Sequence, residues 1–313
     1  MNLPPVNLFF ACDDGYIPFL AVTLTSIKAH VSPERTYSIR VLNTGIKEEG
    51  KERIITSLSD ENFKIEFVDI TPSVEAISEK LHTRDYYSKT TYYRLFIPEL
   101  YKDIDKALYL DCDLVLCSDV AELYDTDLTD NLVGAISDGF VCSVSRLHGY
   151  VTERVGVDSP ADYFNAGVLL MNLKEMRKAL FGEKFITLLS KITFDVAQDQ
   201  DYLNVLCNGR RVTVGGEWNC MPGFCSACKE RKLIHYNLDS KPWHKDDVEF
   251  SDIFWKYADR CAFADEIREI KNTYTGNDKS EGETRSLIDV AEEQGLDEEK
   301  NREIRRELAS IWM

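Results

Sequence analysis

Between residues 6 and 69 the chain alternates between two apolar patterns, and this alternation constrains its fold more than any other feature. Val6–Cys12, Ser38–Leu42 and Lys64–Asp69 have strand length and composition, while Pro18–His30 and Lys47–Leu58 repeat their apolar residues at helical spacing. Strands separated by helical crossovers must lie parallel, so the pattern predicts an α/β fold built on a doubly wound, mostly parallel sheet. Further on, Ser88–Phe96 reads as a helix stopped by Pro98, and Leu132–Ser137 as a strand. Tyr163–Leu173 is a long apolar segment interrupted by Asn165 and Gly167, Asp199–Cys207 looks helical, and Lys232–His235 is a last short strand. The composition turns polar after Asn272. The expected organisation is one α/β domain over residues 1–272, a linker over 273–283 and a helical C-terminal tail over 284–313.

The most chemically informative stretch is Lys106-Ala107-Leu108-Tyr109-Leu110-Asp111-Cys112-Asp113, an apolar run ending in two aspartates. Side chains two apart on a strand share a face, so Asp111 and Asp113 should project together while Cys112 turns back toward the core. Two convergent carboxylates can hold a hard divalent cation, and strand ends are where open α/β sheets bind ligands. The same spacing recurs at Asp103/Asp105, Asp125/Asp127 and Asp199/Asp201, but only the pair at 111/113 follows a hydrophobic strand.

The 313 residues carry a formal net charge of −17. So acidic a surface excludes nucleic acid as a partner held by bulk electrostatics, and any anionic nucleotide would need a locally positive site. No signal-like segment and no run of 18 apolar residues is present, so a cytoplasmic protein without a transmembrane segment is expected; the amphipathic tail leaves room for peripheral membrane contact. The nine cysteines are scattered, as reduced thiols would be. Cys220, Cys225 and Cys228 cluster, but without the second pair that a structural zinc site usually takes.

Several further segments stand in a fixed order along the chain: Phe10-Ala11-Cys12-Asp13-Asp14-Gly15-Tyr16, Thr90-Thr91-Tyr92-Tyr93-Arg94-Leu95, Leu108–Asp113, Tyr163-Phe164-Asn165-Ala166-Gly167-Val168, Gln198-Asp199-Gln200-Asp201, and His235-Tyr236 followed by Lys241-Pro242-Trp243-His244. Taken in that order they resemble the retaining glycosyltransferases of family 8, a GT-A fold group, and above all their bacterial lipopolysaccharide galactosyl- and glucosyltransferases. The resemblance implies a Rossmann-like GT-A domain. It implies Asp111, Asp113 and His235 as ligands of Mn²⁺, with Mg²⁺ as the second candidate ion, and a UDP-sugar as donor. Ala11, Asp13 and Tyr16 correspond to the uracil-binding residues, and Arg94 and Lys241 to cations near the sugar diphosphate. Asn165 and Ala166 correspond to the sugar pocket, Asp199 to the residue that reads the sugar hydroxyls, and Gln200 to the group beneath the anomeric carbon. Asp138 falls on the acceptor side. Without the resemblance, Asp13–Gly15 would read as a turn and Asp199 as a helix N-cap.

Two positions depart from the family pattern. Gly15 stands where asparagine is frequent, and Leu238 stands where the family's last motif has a glycine close to a phosphate. The expected function is metal-dependent transfer of galactose or glucose, with retention, from UDP-galactose or UDP-glucose to a saccharide or glycolipid acceptor in cell-surface polysaccharide or lipopolysaccharide synthesis. The alternative is a UDP-sugar-binding protein without turnover. The acceptor, the choice between the two hexoses and the oligomeric state are left open.

Overall fold

A computed structural model describes residues 3–75, 89–225, 230–275 and 280–312. Among them nine strands occur: β1 (Val6–Ala11), β2 (Tyr37–Asn43), β3 (Phe63–Asp69), β4 (Lys106–Leu110), β5 (Leu114–Leu116), β6 (Val133–Ser137), β7 (Phe164–Asn172), β8 (Arg211–Thr213) and β9 (Leu233–His235). Five helices bear on the site and its surroundings: α1 (Ile17–Lys28), α2 (Glu48–Leu58), α3 (Asp199–Leu206), α4 (Ser280–Leu296) and α5 (Glu298–Trp312). Contacts divide the chain into two compact units, one of residues 1–74, 107–127 and 215–278, the other of 75–106, 128–214 and 279–313.

The first unit carries the parallel sheet, in the order β3-β2-β1-β4. β1 is buried along nearly its whole length, which is why it reads as a continuous apolar run, whereas β3 alternates buried and exposed residues over its first half. α1 is covered on almost every side and is correspondingly apolar, with two buried hydroxyl residues, Thr23 and Ser26. After β4 the chain bends through Asp111–Asp113 into β5, which pairs antiparallel with β9 so that Leu114 faces His235.

In the second unit the order is β7-β6-β8, with β6 antiparallel to β7 and parallel to β8. A register shift between Ala135 and Ser137 brings Ser137 opposite Phe164. The tail helices belong to this unit and bury Ala291, Asn301, Ile304 and Leu308. Gly295 lies against the backbone of Gly149 and Tyr150, so close that an added Cβ would sit 2.7 Å from the Tyr150 nitrogen. Around this contact Arg146 pairs with Asp289 and Glu292, and Arg305 with Glu153.

Two local expectations give way. Pro98 does not stop a helix: residues 89–96 form a 3₁₀ helix, and Pro98 sits in the first turn of a short α-helix, Ile97–Leu100, where its missing N–H has no partner to lose. Ser88, the expected start, lies outside the described residues. The segment at 163–173 is not interrupted, since Phe164–Asn172 is one buried strand. The helices Ser251–Ala258 and Ala264–Thr273 were not foreseen.

Candidate active site

Two clusters hold the residues singled out from the sequence. In the first unit, the parallel pairing Phe9↔Tyr109 brings the ends of β1 and β4 to one edge, so Ala11–Tyr16 and Asp111–Asp113 leave the sheet side by side. Asp111 and Asp113 do converge, although they lie in a bend rather than on the strand, and Cys112 is buried with its thiol donating to the Ala11 carbonyl. The ligand atoms of Asp111, Asp113 and His235 all lie within 4.8 Å of one another, which makes them a group able to hold a metal ion. His235 Nε2 is 3.2 Å from Asp113 Oδ1 and 3.9 Å from Asp111 Oδ2.

His235 is oriented by a neighbour. Its Nδ1 donates to Asn219 Oδ1 at 2.9 Å, so Nε2 presents a lone pair toward the carboxylates. Asp113 Oδ1, buried beside that lone pair, accepts no hydrogen bond. Two lone pairs facing each other in a buried site are unfavourable unless a cation lies between them, so this donor set of two carboxylates and an imidazole fits a divalent ion. The other oxygen of Asp113 is taken by the ammonium of Lys241, which also donates to the Tyr236 carbonyl at 2.6 Å. Burial would push the Asp113 carboxyl up, but the Lys241 ammonium outweighs it and holds the group well below the usual carboxylate range. Burial likewise works against the Lys241 ammonium, and Asp113 keeps its pKa above the ordinary lysine value.

The bend is buttressed from α1. The Thr23 hydroxyl lies 2.8 Å from the carbonyls of both Cys112 and Leu114, and the Leu114 N–H reaches it at 3.3 Å. The Ser26 hydroxyl accepts the Leu116 N–H at 2.9 Å. Side chains thus replace the strand partner that this edge of β5 lacks. Asp13 Oδ1 accepts the Tyr16 N–H at 3.1 Å and tightens the turn into α1, with carboxylate capacity left over. The Tyr16 ring is 38% exposed and meets Phe19 edge-on, and Phe19 stacks on Trp243. Leu238 has φ +49°, the left-handed conformation that favours glycine.

The second cluster joins all six remaining residues in one hydrogen-bonded network. Arg94 pairs with Asp199 at 3.2 Å and donates to the Ala166 carbonyl. The Ala166 N–H donates to Gln200 Oε1 at 2.8 Å, and Gln200 Nε2 donates to Asp138 Oδ2 at 3.1 Å. Asn165 Nδ2 reaches the same Asp138 oxygen at 3.1 Å, while Asp138 Oδ1 accepts the Val141 N–H. A backbone N–H can only donate and a carboxylate only accept, so the two ends of the Gln200 amide are fixed. Asp201, next along α3, is wholly buried. It accepts from the Tyr150 and Tyr163 hydroxyls at 2.8 and 2.7 Å and from the Ala197 N–H at 2.9 Å. Burial raises its pKa to about 6, although the Tyr163 and Ala197 bonds pull the other way.

Thr23, Asn219 and Asp201 were not among the expected site residues. Thr23 had a signal, being a polar residue in an apolar helix. Asn219 had none: it reaches His235 because Cys220 bridges to Ile234. Cys220 and Cys225 are buried, and Cys228 lies outside the described residues.

A parallel α/β sheet with a carboxylate pair, a histidine and a lysine gathered at its carboxyl edge is an arrangement able to hold a cation beside an anionic ligand. The chain belongs to glycosyl transferase family 8, whose family model matches residues 7–247. A putative glycosyltransferase of Haemophilus influenzae is 30% identical over 250 residues, covering 77% of this chain and 73% of that protein. The lipopolysaccharide 1,2-glucosyltransferase of Escherichia coli K12 is 28% identical over 263 residues, covering 77% and 73%. The structure of the galactosyltransferase LgtC, solved with donor and acceptor sugar analogues, superposes with a TM-score of 0.67 at 28% identity and covers 90% of this chain and all of that one. The fold is the GT-A fold expected from the sequence, and no described helix is long and apolar enough to cross a membrane.

Proposed function

We propose that this glycosyltransferase moves galactose or glucose from a UDP-sugar to a saccharide or glycolipid acceptor, with retention at the anomeric carbon, in cytoplasmic assembly of cell-surface polysaccharide or lipopolysaccharide. The observation that carries the reading is the Asp111–Asp113–His235 group, with its Asn219-oriented imidazole and its buried, unpartnered carboxylate oxygen. These three side chains would hold Mn²⁺ or Mg²⁺. The ion would supply positive charge that stabilises the departing diphosphate. Lys241, buried against Asp113, adds a fixed charge to the same end of the donor. Ala11, Asp13 and Tyr16 take the uracil: Asp13 offers its remaining lone pairs to N3–H, and the Tyr16 ring offers a face for the base.

In this reading the second cluster serves the hexose. Asp199, held by Arg94, accepts from sugar hydroxyls, and Asn165 and Ala166 line the pocket. Asp138 stands on the acceptor side while holding Asn165 and Gln200. Gln200 lies beneath the anomeric carbon, where a neutral amide is a poor nucleophile but its carbonyl can stabilise a developing oxocarbenium ion. This favours departure and attack on one face over a covalent glycosyl-enzyme. UDP-hexose turnover with and without Mn²⁺, with proton NMR of the first-formed product, tests the reading: an α-linked product is expected, and a β-linked one would overturn retention. Binding without turnover would instead give Mn²⁺-dependent UDP binding with no UDP released.

A further inference from the structure

We propose that Lys241 weakens the hold of the Asp111–Asp113–His235 group on a divalent cation by itself, so that the group binds the ion firmly only together with a diphosphate. The inference rests on the reading in which this group takes the ion and the donor diphosphate lies beside it. Asp113 is shared between two positive partners. Its Oδ1 faces His235 Nε2 at 3.2 Å and belongs to the donor set, while its Oδ2 receives the Lys241 ammonium. Two carboxylates alone would balance a divalent charge. With the ammonium on one of them, the set is one negative charge short. Two positive charges on the two oxygens of one buried carboxylate repel strongly, because little water screens them.

The ammonium is not free to swing away and relieve that repulsion. Lys241 is 8% exposed and also donates to the Tyr236 carbonyl at 2.6 Å, and the Tyr236 N–H donates to the Asp113 carbonyl at 3.0 Å. Its backbone is held in a turn: its N–H donates to the Asp239 carbonyl, and its own carbonyl accepts from the N–H groups of His244 and Lys245. Trp243 in that turn is buried and stacks on Phe19 with ring centroids 4.0 Å apart. Burial works against the ammonium, but Asp113 keeps it charged. An ammonium has three protons, and among the described residues its hydrogen bonds go to the Asp113 carboxylate and the Tyr236 carbonyl. The third proton is left for an anionic oxygen. A diphosphate beside the group would therefore answer both the ammonium and the positive charge that the ion leaves in excess.

The two roles open to Lys241 differ in sign. If it merely anchors Asp113, its removal misplaces a ligand and weakens the cation site; if it opposes the cation, its removal tightens the site. Mn²⁺ binding without nucleotide, followed by the electron paramagnetic resonance signal of free Mn²⁺, is measured in the parent chain, in Lys241→Met and in Lys241→Gln, each checked for cooperative melting. Lys241→Gln keeps an amide donor while removing the charge, so it decides the matter if Lys241→Met does not fold. Both variants are expected to bind Mn²⁺ at least ~10-fold more tightly than the parent and, at saturating Mn²⁺, to bind UDP at least ~10-fold more weakly by isothermal titration. In the parent, saturating UDP should tighten Mn²⁺ at least ~10-fold, and Mn²⁺ should tighten UDP by the same factor. Equal or weaker Mn²⁺ binding in a folded variant overturns the proposal, as does a parent whose Mn²⁺ affinity ignores UDP; in both cases the metal reading stands. If neither the parent nor the variants bind Mn²⁺, with or without UDP, the metal reading itself fails and the proposal with it.

Discussion

Replacing Thr23 by valine asks whether the bend at Asp111–Asp113 is held from behind. Valine matches threonine in shape, so the buried site gains no cavity and loses only the hydroxyl. That hydroxyl lies 2.8 Å from two carbonyls and accepts one N–H, all in the segment Cys112–Leu114. Loss of its hydrogen bonds and desolvation of the stranded backbone groups should destabilise the fold by ~2–4 kcal/mol. For a chain of this size that corresponds to a fall in Tm of roughly 5–10 °C. Because Asp111 and Asp113 flank the freed carbonyl of Cys112, Mn²⁺ affinity measured by isothermal titration should fall as well. Ser26→Ala is the control: it removes a hydroxyl that accepts the Leu116 N–H, further along β5, and donates to the Thr23 carbonyl within α1, and it should lower Tm less while leaving the affinity unchanged. A Thr23→Val protein with wild-type melting and wild-type Mn²⁺ binding would refute the buttress. So would an equal loss of affinity in Ser26→Ala.

Three further outcomes are expected. Asn219→Leu removes the acceptor that sets the His235 tautomer and should weaken Mn²⁺ binding by ~10–100-fold; unchanged affinity would show that Asn219 does not orient the imidazole. Leu238→Gly relieves a left-handed backbone that is unfavourable for a branched side chain by ~1 kcal/mol, so Tm should hold or rise, and UDP should bind more tightly as the backbone nears the phosphate; weaker UDP binding would show that the leucine contributes to the site. Gly295→Val forces a side chain into the Gly149–Tyr150 backbone, where no flexible group can give way. It should lower Tm by several degrees, and wild-type melting would show that the tail contact is dispensable.

The fold was legible because its strongest signals are local. β1, β2 and β3 are short apolar runs between helical patterns, and the expected boundaries fall within about two residues of those found, which is the usual accuracy of element ends. Pro98 misled because the same residue that ends one helix can begin another. The antiparallel pairing of β6 with β7 left no trace in either segment, since a strand buried on both faces reads alike in both orientations. In the candidate site, Asp111 and Asp113 were visible because two carboxylates close in sequence at the end of an apolar run carry their own context. His235 was legible only through the resemblance, as it lies more than a hundred residues away and reaches the carboxylates through the β5–β9 pairing. Residues that act on other residues stayed hidden, because their meaning comes from partners that only the folded chain supplies: Asn219 on His235, Thr23 on the bend, Asp201 on Tyr163.

The central claim is that this chain uses a cation at Asp111, Asp113 and His235 to split a UDP-hexose. The most direct measurement is UDP release from UDP-galactose and UDP-glucose by the purified protein, with Mn²⁺, with excess chelator, and in Asp113→Asn, each variant checked for cooperative melting. The account predicts release with Mn²⁺ from at least one of the two sugars, loss of release in chelator that returning Mn²⁺ restores, and no measurable release from a folded Asp113→Asn protein. Undiminished release in chelator, or full activity in Asp113→Asn, would contradict it.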